Sequence, residues 1–134
     1  MDAVVRTIER PRFGQTLAGE GGTFEAVMKG DNGRPDYLLI LYSEHRQPAP
    51  WEEQMAWAKG LKAHGHHDYR LPTRREMHGL IANAKEKFNG NWYWSSEPSG
   101  SDCAGCQDFD NGNQGWGHQN GYNRACAVRS VILQ

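Results

Sequence analysis

The feature that most constrains this chain is a helix start in its middle. Thr73 and Glu76 form a T-x-x-E capping box, in which each side chain satisfies a backbone N–H that the first helical turn leaves orphaned. Beyond it Met77, Leu80, Ile81, Ala84 and Phe88 recur on one helical face, which predicts a helix with a core-facing stripe. The pattern stops at Asn89-Gly90-Asn91, and no helical period returns afterwards. A second helix is expected just upstream. Pro50 suits its first turn, and Trp51, Met55, Ala58 and Leu61 make its apolar stripe.

Strand signals flank the helices. Gly19 to Gly22 is a turn cluster; it lacks the Lys-Ser/Thr ending of a phosphate loop. The runs 23–29 and 36–42 lie either side of Asp31-Asn32-Gly33 and read as a hairpin. The second run is apolar on both faces, so a central strand is expected. Trp92-Tyr93-Trp94 reads as a short aromatic strand and 125–132 as a closing strand. Between them only Phe109 to Gln114, with its Asn-Gly pair, signals a hairpin; the rest of 95–124 reads as loop. Residues 1–13 read as a lead-in to one domain spanning 1–134, a common size for a single core. The class is α+β: two helices packed on a small antiparallel sheet, with a long loop region.

Composition narrows function by exclusion. Fifteen basic and sixteen acidic residues lie without like-charged blocks, so no counterion-releasing stripe for nucleic acid is expected. No apolar run approaches a membrane span, and the first residues lack the apolar core of a secretory signal. Three cysteines, an odd number, fit a reducing compartment better than a disulfide scaffold.

Four pieces occur in order: Arg70-Leu71-Pro72-Thr73 with Glu76, Tyr93-Trp94-Ser95-Ser96, Phe109 with Gly112, and Ala127-Val128-Arg129-Ser130. Together they resemble the DUF1566 (Lcl C-terminal-like) family over residues 36 to 131. The upstream glycine cluster and hairpin resemble the opening of stand-alone members carried by Mu-like bacteriophages and prophages. The resemblance implies a C-type-lectin-like fold, related to the formylglycine-generating sulfatase-modifying domain, whose long loop region is often the binding face. In some phage relatives that face is diversified ahead of the closing strand; the corresponding stretch here is 112–124.

The composition of that stretch points to binding. Aromatic side chains give contact area at low entropy cost, and Asn, Ser and Gly give adaptable hydrogen bonds. The candidate binding residues are Asn111, Asn113, Gln114, Trp116, His118, Gln119, Asn120, Tyr122 and Asn123. Trp116 and Tyr122 are expected as exposed anchors. Trp92 and Trp94, as strand residues, are expected in the core.

Other constellations carry less. Cys103-Ala104-Gly105-Cys106 has the C-x-x-C spacing but no second ligand pair and no helix to open. His64-Gly65-His66-His67 suits adventitious metal binding on a connector. Glu97-Pro98-Ser99 lacks the oxygen ligands of a calcium site, although Asp102, Asp108 and Asp110 lie nearby. Oxidases of the related fold use a cysteine pair just upstream of the closing strand, and none stands between Gln107 and Ala125. No Ser-His-Asp or carboxylate-pair arrangement is defined by spacing.

The expected function is therefore a non-enzymatic binding protein of phage or prophage type, without cofactor or metal. Its partner would be a host protein, such as a defence complex blocked by occupancy in the host cytoplasm. The alternative is a virion adhesin for a host surface receptor or glycan; a formylglycine-generating-like oxidase comes last.

Overall fold

The computed structural model describes residues 11–133. Most of the lead-in, 1–10, lies outside the described residues; of its remainder, the Phe13 ring stacks on Phe24 at 5.2 Å between centroids.

The hairpin forms as the sequence predicts. β2 (Gly22–Met28) and β3 (Tyr37–Leu41) pair antiparallel across a turn in which Asn32 and Gly33 take positive φ. β1 (Thr16–Leu17) lies outside β2, and β9 (Val128–Ile132) pairs antiparallel with β3. The sheet order β1-β2-β3-β9 makes β3 central, which its two-sided apolar pattern requires.

A second sheet was not expected. Its order is β4-β8-β5-β6-β7, built from β4 (Arg46–Ala49), β5 (Trp92–Ser99), β6 (Cys103–Asp108), β7 (Gln114–His118) and β8 (Asn123–Ala125). Its pairings are antiparallel except a parallel contact of β5 with β8. The single antiparallel sheet is thus replaced by two sheets, one of them mixed. The closing strand splits accordingly: the chain changes sheets at Cys126-Ala127, between β8 and β9.

Two helices pack on the sheets, α1 against β4, β5 and β8 of the second and α2 against both. α1 (Trp51–Gly60) starts one residue after Pro50, which serves as its N-cap residue. Its stripe is buried at Trp51 and Ala58, and Gln54 is buried with them. Gln54 is satisfied there, donating to the carbonyls of Gln47 and Asn123. α2 (Arg74–Ala84) carries the complete capping box. It packs on β2 of the first sheet and on β5 and β6 of the second. Met77, Leu80 and Ala84 are fully buried in one core with Phe88, Tyr93 and Phe109. A second core gathers Trp51, Leu71 and Trp94. Both buried indoles donate: Trp51 to the Ser95 carbonyl at 2.8 Å and Trp94 to that of Ala49 at 2.9 Å, as buried indole N–H groups must.

Trp92 departs from expectation. It is 38 % exposed, whereas Trp94 is completely buried. Alternation places both on one face of β5, but only Trp94 reaches the core. Among the described residues no helix is long and apolar enough to cross a membrane.

Candidate functional site: the β7 surface and the motif network

The segment read as loop is mostly sheet. β6, β7 and β8 occupy much of 95–124, and β5 itself runs on to Ser99. Glycine ordinarily weakens a strand unless another group approaches closely, and here it does. A Cβ on Gly105 would stand 2.7 Å from Ser95 Oγ and 2.9 Å from Arg74 Cδ. One on Gly117 would stand 3.2 Å from the Trp94 ring. The glycines of β6 and β7 are the space those side chains occupy.

This packing builds the exposed face of β7. Arg74 crosses Gly105, which pairs with Trp116 in the register, and its guanidinium lies 4.1 Å from the Trp116 ring centroid. Trp116 is nonetheless 49 % exposed, and Tyr122, in the turn after β7, is 71 % exposed. Arg74 Nε is buried without a hydrogen-bond partner. The cation–π contact is the arrangement that holds the guanidinium under the ring.

The structure divides the nine sequence-predicted residues. Trp116, His118, Asn120 and Tyr122 are exposed along β7 and the turn that follows. Asn111 and Asn113 are exposed at the far end of β7, where Asn111 Oδ1 accepts the Asn113 N–H at 2.9 Å. The other three are half-buried, and Gln114 and Gln119 are committed to the fold through their side chains. Gln114 donates to the Arg74 carbonyl and to Gln107 Oε1. Gln119 donates through its side chain to the Cys103 carbonyl and through its N–H to that of Asp102, and accepts from Trp51 N–H. Asn123 accepts from the Gln54 side chain through its backbone carbonyl.

A second cluster was not predicted as a site. Tyr37, Arg70, Glu76 and Ser130 meet in a cleft of about 640 Å³ between the β3–β9 edge and the start of α2. Arg70 donates to Glu76 Oε1 at 2.6 Å, to Oε2 at 2.8 Å and to Ser130 Oγ at 2.8 Å. Thr73 N–H donates to Oε1 at 2.9 Å, and the Tyr37 hydroxyl to Oε2. Burial alone would raise the Glu76 pKa, but Arg70, Tyr37 and Thr73 outweigh it and hold the group below its ordinary range. Each Glu76 oxygen therefore accepts two hydrogen bonds, and the side chain is fully buried. Such a carboxylate has no lone pair left for proton transfer. Its signal in the sequence was the capping-box glutamate, whose second role no local pattern reveals.

The remaining motifs also take structural positions. Arg70 and Val128 exchange both backbone hydrogen bonds, joining two of the sequence motifs. Arg129 pairs with Asp68 at 2.8 Å and Glu20 at 3.2 Å; its hydrogen bond lowers the Asp68 pKa. Glu97 Oε2 accepts the Arg74 N–H at 2.7 Å and so caps α2. The histidine cluster forms a tight turn, with Ala63 and His66 exchanging backbone hydrogen bonds and His64 at positive φ. Asp102 precedes β6 and Asp108 ends it. Among the described residues no three His, Cys, Asp or Glu side chains gather as a metal site requires. Cys103, Cys106 and Cys126 are all thiols, and burial raises the pKa of Cys106 and of Cys126.

The site thus belongs to a class of α+β domain in which a buried ionic network ties helix to sheet and an aromatic edge faces outward. The chain belongs to the Lcl C-terminal domain family, which matches residues 28–131. That match spans the four motifs and runs from the end of β2 into β9. No curated protein matches the chain.

Proposed function

We propose that this protein is a non-enzymatic binding domain of phage or prophage type, with a C-type-lectin-like fold. It engages a bacterial host protein through Trp116, His118, Asn120 and Tyr122 and acts by occupancy, as an intracellular accessory or anti-defence protein would. The observation that carries this reading is the pair of exposed aromatics, Trp116 on a glycine-lined sheet edge and Tyr122 in the turn beyond it. Aromatic anchors with polar neighbours are the usual make-up of energetic hot spots. The saturated Glu76 also speaks for binding over catalysis, since this buried carboxylate lining the 640 Å³ cleft is fully hydrogen-bonded. The joining of first and last strands in one sheet, with two consecutive helices between, suits the lectin-like assignment. Three thiols suit a reducing compartment.

The experiment is capture from a bacterial host lysate with wild type, Trp116→Ala and Tyr122→Ala. Each variant is expected to keep a near wild-type melting temperature and to lose about 2 kcal/mol or more of binding to the captured protein. Trp94→Ala is the opposite control, costing about 3–5 kcal/mol of stability because it empties a buried site. Normal capture by both loop and strand variants would move the binding surface off β7.

A further inference from the structure

β7 is an outer strand of the second sheet, and among the described residues no strand pairs with its far side. The ladder with β6 fixes which of its backbone groups point outward. Asp108 N–H donates to the Asn113 carbonyl at 2.8 Å, and Gln119 N–H to that of Asp102 at 2.7 Å. Both bonds lie in the β6–β7 register, so positions 113, 115, 117 and 119 turn toward β6. Gln114, Trp116 and His118 therefore turn their N–H and carbonyl groups away from it.

Exposed edges are ordinarily guarded by a charge, a proline or a bulge. The sequence Gln-Gly-Trp-Gly-His has none of these. It also has the same pattern read from either end: a polar residue, glycine, tryptophan, glycine, a polar residue. We propose that β7 pairs antiparallel with β7 of a second copy of this chain, across a two-fold axis at Trp116. An isologous strand pair must be complementary to itself, and this pattern about a single central residue meets that requirement. A foreign strand would impose no such symmetry.

The register follows. Trp116 lies opposite its own copy, Gln114 opposite His118, and Gly115 opposite Gly117. Each Trp116 N–H donates to the other Trp116 carbonyl, and Gln114 and His118 exchange bonds in the same way. The His118 carbonyl already accepts Gly121 N–H at 2.8 Å, and its second lone pair serves the new bond. The two indoles, each held over its own Arg74, meet side by side and shield one another. Five residues bury well under the roughly 1,200 Å² of a standard interface, so the dimer is transient.

Sedimentation velocity on the purified protein, from low micromolar to about 1 mM, reads the equilibrium directly. The mean mass is expected to rise with concentration toward that of a dimer. Trp116→Lys sets like charges on the axis, and Trp116→Pro removes an outward N–H that the β6 ladder does not use. Each is expected to weaken the dimer at least about tenfold. Oxidative cross-linking tests the register: Trp116→Cys gives a covalent dimer, beyond any background from the native thiols. His118→Cys does not, because its two copies stand about 14 Å apart along the strands. A monomer across the whole range overturns the proposal. So does a dimer that both Trp116→Lys and Trp116→Pro leave intact, or cross-linking through His118→Cys instead. These readings use the protein alone, so they stand apart from whether a host protein is captured.

Discussion

At the residue scale, the motif side chains are spent on folding. Glu76 closes a capping box, neutralises Arg70 and receives the Tyr37 hydroxyl at once. One half-buried ionisable residue beside the core is less settled. His45 packs against Phe88 and Tyr93, its Nδ1 3.1 Å from the Tyr93 hydroxyl. Burial, and then the Arg124 charge, lower its pKa from 6.5 to about 4. A group whose folded pKa is depressed gives stability above its unfolded pKa and withdraws it below. The His45 contribution is therefore complete above about pH 6.5 and falls away as pH drops toward 4. Denaturation midpoints across pH 4–7 are expected to slope less in His45→Gln than in wild type; equal slopes would place the titration elsewhere.

At the element scale, legibility followed local signals. The β2–β3 hairpin, both helices and the capping box were readable because each announces itself within a few residues through period, turn or cap. The turn between β6 and β7 was readable from the Asn-Gly pair within 109–114, but the strands themselves were not, because Gly105, Gly115 and Gly117 look like breakers until the side chains above them are known. The same applies to Glu76: its cap is local, but Arg70, Tyr37 and Ser130 reach it through tertiary pairing. Of the candidate binding residues, Trp116 and Tyr122 were legible as exposed aromatics, whereas the side-chain commitments of Gln114 and Gln119 were not. Gly117→Val tests the packing explanation. It drives a branched side chain into the Trp94 ring and is expected to cost about 1–3 kcal/mol by chemical denaturation. An unchanged midpoint would mean that β7 does not lie flush on Trp94.

At the scale of the whole molecule, the proposed function assigns folding and binding to different residues. The network of Tyr37, Arg70, Glu76 and Ser130 ties α2 to β3 and β9 of the first sheet, while under the proposed function the outer face of β7 is left for a partner. The sharpest measurement pairs stability with capture in two variants, read at a temperature where both are folded. Arg70→Met strips the buried Glu76 carboxylate of its cation; because the Arg70 side chain is itself 36 % exposed, the loss is expected to fall below that of a fully buried pair, at about 1–3 kcal/mol. It is expected to lower the unfolding midpoint yet capture the host protein as wild type does. Trp116→Ala is expected to do the reverse. Loss of capture in folded Arg70→Met, with full capture in Trp116→Ala, would contradict the division and assign recognition to the Arg70–Glu76 cleft.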